Sequence, residues 1–395
     1  MFEVTGRGAD KGSKEEATEI GEDEKYGLKP MNCPGHCLLF KSQARSYRDL
    51  PIRYADFSPL HRNELSGTLS GLTRVRRFHQ DDGHIFCRPN QVGEEIEKTL
   101  AFVGIVYETF GLGPYKLVLS TRPEEKFIGE VEEWDRAETQ LREALDKSGR
   151  EWDTNDGDGA FYGPKIDIIL EDSDGFEHQT ATIQLDFQLP QRFGLTYQAP
   201  APELEIKGQT TSDPVLLAHS GDITPVIIHR AIFGSFERFM ALLIEHYKGH
   251  WPFWLSPRQA VVLTIGQDQG CIQYASKVAS ELCGVGKGYG DKPRALDTPT
   301  YQVDTDFSGR SISKKIAEAK LKHYNLICVV GSTETEAGTI TVDMTGQPDV
   351  DESKEILERI TKSNPAVDAK PNLRAVTLNR TQLVSFMKGL CDAYL

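Results

Sequence analysis

Two prolines close together, in Trp251-Pro-Phe-Trp-Leu-Ser-Pro257, divide this 395-residue chain into stretches with different patterns. Proline fixes φ and removes a backbone donor, so neither a helix nor a central strand runs through such a junction. Before it, from Leu28 to about His250, strand and helix patterns mix. Beyond it, short apolar runs alternate with helical patterns. The length allows two or three domains, each with its own core. The pattern predicts a flexible acidic segment over 1–25, a larger α+β domain over 26–254 and a smaller α/β domain over 255–395.

In the front stretch, Ile52–Ser58, a piece of Arg74–Cys87, Tyr115–Ser120, Ile166–Leu170 and Thr180–Phe187 read as strands. Pro34-Gly35 opens a short helix. Ile96, Leu100, Val103 and Tyr107 recur at helical spacing across 91–111. Residues 229–247 read as an amphipathic helix, with Ile232, Phe236, Phe239, Met240 and Leu243 on its apolar stripe. An antiparallel sheet with flanking helices accounts for this mixture. Behind the junction the expected elements are strands 260–265, 326–330 and 339–343 and helices 272–283, 311–323 and 351–362. Together they suggest a largely parallel sheet.

Charge and composition narrow the class. No window approaches eighteen uncharged apolar residues, which excludes a membrane-spanning helix. Seven scattered cysteines point to a reducing compartment rather than a disulfide framework. The net charge of −14 lies entirely before Ser256, because the remainder carries 17 basic and 17 acidic side chains. That excludes a generally basic coat for nucleic acid but leaves room for local patches. One such patch is expected on the helix carrying Lys314, Lys315, Lys320 and Lys322.

The densest chemistry lies in Phe57-Ser-Pro-Leu-His-Arg-Asn-Glu64 followed by Arg74-Val-Arg-Arg-Phe-His-Gln-Asp-Asp-Gly-His84. Gln80, Asp82 and His84 share one strand face by the period-two rule. A salt-bridged, water-exposed hairpin is the plain alternative, but three different polar types on one face suit a common ligand better. Arginine clamps phosphate through a planar two-donor fork, and a further arginine follows in His229-Arg-Ala-Ile-Phe-Gly-Ser-Phe-Glu-Arg238. There Gly234 is expected to let a ligand approach the backbone. Met31-Asn-Cys-Pro-Gly-His36 sets a thiol at a helix start, where thiolate is favoured. Cys33 with Cys37 reads as two core cysteines rather than a metal clip.

In this order, MNCPGH, LHRNE, RVRRFHQDDGHIF, GDGAFYGPKIDI, ATIQLDF and HRAIFGSFERF resemble class II aminoacyl-tRNA synthetases, specifically the threonyl family. HRNE…RFHQDD resembles class motif 2 and HRAIFGSFER class motif 3. WPFWLSPRQ opens what resembles the family's anticodon-binding domain. The resemblance implies the class II fold, a catalytic core built on an antiparallel sheet, followed by that smaller α/β domain. It also implies threonine–tRNA ligase activity, with ATP, L-threonine and tRNA(Thr) as partners. A Zn2+ ion would be held by Cys33, His84 and His229, and Mg2+ would accompany ATP.

Further roles follow from the same resemblance. Arg62 and Arg238 would face the ATP phosphates, with Glu64, Arg74, Gln179 and Thr182 around the nucleotide. Gln80, Asp82, Tyr162 and Gln184 would form the threonine pocket, and Lys165 would act beside the adenylate. A catalytically silent paralogue that binds tRNA is the rival reading, but it typically loses a metal ligand or phosphate arginine that this chain keeps. A seryl or prolyl relative is disfavoured by the Cys/His/His set.

Two departures stand out. Asp343 occupies the strand position where the family usually places an anticodon-contacting arginine. The opening Met1-Phe2-Glu3-Val4 resembles the segment that follows class motif 1. That suggests a fragment or a late start, a weakened homodimer and any transit peptide lost. The likeness is nearest to members without editing modules, such as fungal mitochondrial ones. It implies the mitochondrial matrix, with the cytoplasm as alternative.

Overall fold

The computed structural model describes residues 1–5, 25–171, 175–285, 295–361 and 373–395. Contacts divide the chain into two compact units, Met1–His246 and Tyr247–Leu395. The division precedes the junction because the Tyr247 ring packs on Trp251, with centroids 5.6 Å apart. Among the described residues, no helix is long and apolar enough to cross a membrane.

The first unit is built on a seven-stranded sheet. Its strands lie in the order Ile52–Asp56, Asp82–Cys87, Val226–Ala231, Glu177–Asp186, Lys165–Glu171, Tyr115–Ser120 and Trp152–Asn155. Every neighbouring pair is antiparallel except the outermost two, which are parallel. The pleat sorts the side chains. Ile85, Ile228 and Leu185 are direct cross-strand partners and buried. One residue along, on the opposite face, a polar row runs Tyr54, His84, His229, Gln184, Lys165, Ser120. Helix Val92–Thr109 buries Ile96, Leu100, Val103 and Tyr107, as its periodicity requires. The Tyr107 hydroxyl pairs with Thr180 Oγ1 at 2.7 Å. Helix Val131–Ser148, which packs beside it, escaped the sequence reading.

The expected helix over 229–247 is corrected. Val226–Ala231 is a central strand, and the helix spans only Phe236–Tyr247. Gly234 makes the break. Its φ is +63°, and a Cβ there would lie 2.0 Å from the Thr180 carbonyl oxygen. Its missing side chain therefore serves close backbone packing, and the residue also lines a pocket shared with Arg62 and Arg238. The apparent helical stripe came from reading a fully buried strand and a helix as one pattern, and Met240 is in fact exposed.

The expected acidic segment also needs qualification. Glu3–Thr5 pairs antiparallel with Lys25–Gly27, whereas residues 6–24 lie outside the described ones.

In the second unit, five strands lie in the order Val303–Asp306, Ala260–Thr264, Leu326–Val330, Thr339–Asp343, Val376–Asn379. The first three are mutually parallel, and the remaining two pairings are antiparallel, so that Thr339–Asp343 alone runs against the other four. The largely parallel sheet is therefore corrected to a mixed one. Only Gly331, the short helix Ser332–Ala337 and Gly338, at φ +67°, link Leu326–Val330 to Thr339–Asp343. A parallel crossover needs a dozen residues or more. The C-terminal helix Arg380–Asp392 buries Leu383, Phe386, Met387 and Leu390.

The lysine stripe loses one member. Lys315 is buried and donates to the Thr264 and Asp306 carbonyls. Lys314, Lys320 and Lys322 are exposed, with Lys320 paired to Asp343 and Lys322 to Glu318, each at 2.7 Å. Asp343 thus holds a local ion pair.

Candidate active site

Three elements bring Cys33, His84 and His229 together. Cys33 opens helix Cys33–Lys41, where Pro34 suits the first turn because its missing N–H would lack an intrahelical partner anyway. His84 and His229 are paired residues of adjacent strands. One donor atom from each of the three lies within 4.8 Å of the others. Cys33 Sγ is 3.5 Å from His229 Nδ1. Cys37, by contrast, belongs to a core cluster with Phe40, Phe86, Leu195 and Ile227, and burial pushes its thiol up to about 12.

Each histidine is held on its far side. His229 Nε2 is 2.9 Å from Asp186 Oδ2, leaving Nδ1 toward Cys33. His84 Nδ1 is 2.7 Å from His36 Nδ1, leaving Nε2 buried without a hydrogen-bond partner. Burial first, then the neighbouring His229 and His36, pushes His84 down to about 2, so its ring is neutral. Burial also opposes charge on His229, but the bonds to Asp186 and Cys33 outweigh it and raise the ring to about 10. A soft thiolate and two imidazoles suit zinc, and an orphaned buried ring nitrogen is what an absent cation leaves behind. The residues fit the ion.

Other predicted residues surround this point. Asp82 Oδ1 is 3.8 Å from His84 Nε2, and its Oδ2 accepts from Asn32 N and Nδ2 at 3.3 and 3.1 Å. Burial raises the Asp82 pKa, and the Asn32 bonds oppose that rise. Tyr162 donates its hydroxyl to Gln184 Oε1 at 2.9 Å, and its ring centroid is 6.0 Å from that of His229. Lys165, the cross-strand partner of Gln184, is tied to Asp167 at 2.8 Å.

A second pocket of about 370 Å³ gathers Arg62, Glu64, Arg74, Gln80, Gln179, Thr182 and Arg238. Arg62 lies over the Phe78 ring at 5.0 Å, and Arg74 pairs with Glu64 at 3.0 Å. Arg238 donates to the carbonyls of Thr73 and Gln179 at 3.0 and 2.8 Å. Burial, then the charge of Arg74, lowers its pKa. The guanidinium groups of Arg62, Arg74 and Arg238 thus line one pocket, a lining suited to an anionic group.

Three carboxylates were not predicted. Asp186 orients His229. Asp167 collects Ser120 Oγ, Gln179 Nε2, Thr182 Oγ1 and Lys165 Nζ. Asp81 accepts from Ile232 N, Phe233 N and Arg230 Nη1 at 2.8, 3.0 and 3.0 Å, so it fixes the turn that leads to Arg238. Period-two counting from Gln184 reaches Asp186, and that signal was available in the sequence.

Residues 17–206 match the family described as "tRNA synthetase class II core domain (G, H, P, S and T)", and residues 259–355 match "Anticodon binding domain". A crystal structure from Cryptosporidium parvum, described as the RNA binding domain of threonyl-tRNA synthetase, is similar over 94% of this chain and 78% of its own. It is 43% identical, with a TM-score of 0.74. This chain belongs to the threonyl-tRNA synthetase family. Among the family's curated members, the Schizosaccharomyces pombe protein named "Probable threonine--tRNA ligase, mitochondrial" is 53% identical over 317 residues. That match covers 80% of this chain and 64% of the relative. The human "Threonine--tRNA ligase 1, cytoplasmic" is 50% identical over 324 residues, 81% of this chain and 40% of its own. This family member thus spans under two thirds of the curated relatives it matches.

Proposed function

We propose that the chain activates threonine with ATP and transfers it to tRNA(Thr). One observation carries the reading: the Cys33/His84/His229 constellation and the Arg62/Arg238 pocket lie around the same sheet, with Asp82 on the His84 strand and Gln80, just before that strand, lining the arginine pocket. Zinc held by the three ligands would supply a Lewis-acid contact for the amino group and hydroxyl of threonine, which valine cannot match. An apolar pocket alone separates such near-isosteres poorly.

The chain's own residues do the rest. Asp82 accepts a hydrogen bond from the substrate hydroxyl. Gln80, Tyr162 and Gln184 wall the amino-acid pocket, and Lys165 brings positive charge to its end. Arg62 and Arg238 hold the phosphates in line with the attacking carboxylate and stabilise the charge that develops on them. Glu64, Arg74, Gln179 and Thr182 frame the nucleotide, and Mg2+ enters with ATP. Transfer to the tRNA ribose hydroxyl uses the same positioning.

ATP–pyrophosphate exchange with a panel of amino acids tests this. Threonine should support exchange and valine should not. Exchange with another amino acid, or none, would overturn the reading.

The second unit is proposed as the tRNA reader, since a chain ending near Trp254 keeps every catalytic candidate. That shorter chain should still form threonyl-adenylate but charge tRNA poorly, and undiminished charging would refute the role. Because mitochondrial and cytoplasmic relatives both match, we assign the mitochondrial matrix on the 53% relative. Imaging of the tagged full-length gene product checks it.

A further inference from the structure

We infer that His36 is a positioning residue for the metal centre, selecting the tautomer in which His84 can bind a cation. The inference rests on the zinc reading above. His36 and His84 meet Nδ1 to Nδ1 at 2.7 Å, with ring centroids 4.8 Å apart and planes at 75°. Two ring nitrogens at that distance share one proton: one donates and the other accepts. If His36 donates, His84 must carry its own proton on Nε2. That N–H then points into the site, buried and without an acceptor, because the Asp82 carboxylate oxygen Oδ1 stands 3.8 Å away. If His84 donates, its Nε2 presents a lone pair toward Cys33 and His229, and a cation satisfies it. Only the second arrangement is consistent with the ligand set.

The fold gives His36 little choice of position. It lies three residues after Cys33 on the same short helix, so one helix face supplies both a ligand and the support for another. His36 is buried, with its ring against Tyr54 at 5.6 Å. The two ligand histidines are therefore held differently: His229 by the carboxylate of Asp186, His84 by a neutral imidazole. Partners of this kind fix ligand orientation, and their loss costs roughly 10–100-fold in metal affinity.

The test compares His36→Leu, which removes the acceptor, with His36→Asn, whose Oδ1 replaces Nδ1. Zinc affinity is measured by chelator competition on the full chain. The Leu variant should bind zinc roughly 10–100-fold more weakly and the Asn variant within a few-fold of wild type. Equal loss in both would reduce His36 to packing, and no loss in either would remove its role. Long-range proton–nitrogen NMR of the zinc-free, 15N-histidine-labelled protein reads the tautomer directly. Expected is a proton on His84 Nδ1; a proton on Nε2 overturns the inference even if zinc binds. A wild-type chain that takes up no zinc would sink the metal reading and this role together, an outcome distinct from all the others.

Discussion

His84 and His229 are direct partners across adjacent antiparallel strands, their ring centroids 4.6 Å apart and their planes at 78°. Two imidazoles held edge to face, with their free nitrogens turned toward one thiol, are geometry that a sheet provides without any loop. Two of the three candidate ligands thus sit in the middle of the sheet, and the third opens a helix.

Replacing the thiol removes the third ligand without disturbing that pair. Cys33→Ala should fold, lose zinc and lose threonine-dependent exchange. Metal analysis of the purified variant decides it: a full equivalent of zinc would contradict the assigned ligand set.

Asp186 offers a subtler variant. It orients His229 and also accepts from Gln188 N and Leu189 N, bonds that an asparagine side chain at this position could partly keep. Asp186→Asn is expected to weaken zinc roughly 10–100-fold while leaving the melting temperature of the zinc-free protein nearly unchanged. Unaltered zinc affinity would show that the carboxylate does not act on the metal side.

For the nucleotide, Arg62→Ala and Arg238→Ala should each lower the exchange rate at least ~100-fold, the scale for removing a transition-state donor. Arg238 also ties Thr73 to Gln179, so circular dichroism must accompany the kinetics. A folded Arg62→Ala protein with near-normal exchange would refute its role.

Acid stability should reveal Asp306 in the second unit. Burial alone would raise its pKa, but bonds from Ser308 and Arg310 and the charge of Lys315 outweigh that and lower it to about 2. A depressed carboxylate stabilises the fold fully above its unfolded value near 3.8, and this contribution is lost as pH falls toward about 2. Asp306→Asn should therefore be less stable at neutral pH, and its stability should change less between about pH 4 and 2. Urea unfolding at a series of pH values reads the difference; parallel curves for the two proteins would count against it.

Much of the site was legible because its residues sit on regular elements. Asp82 and His84 obey strand alternation, whereas Gln80 lies before that strand and bridges to Ser235, and the Pro-Gly after Cys33 announces a helix start. His229 was singled out as a candidate ligand but placed on a helix, since a strand buried on both faces has no period of its own to read. The ion pair on the lysine-bearing helix joins Lys320 to Asp343 across 23 positions, and sequence spacing carries no trace of such a contact. The mixed sheet behind the junction was legible and missed: eight residues separate the expected strands 326–330 and 339–343, too few for a parallel crossover. Val303–Asp306 and Val376–Asn379 are four residues each, too short to show a period.

The polar row from Tyr54 to Ser120 crosses six strands at one level. Because the side-chain period of a strand is two, a slip or insertion of one residue in any inner strand would turn its site residue to the apolar face and put a chain neighbour such as Ile85, Ile228 or Leu185 in its place. Metal ligand and substrate contact would vanish in the same event. Chain-length changes in these strands should therefore be tolerated, if at all, in steps of two. Catalytic competence then becomes a direct gauge of whether the whole sheet has settled in register.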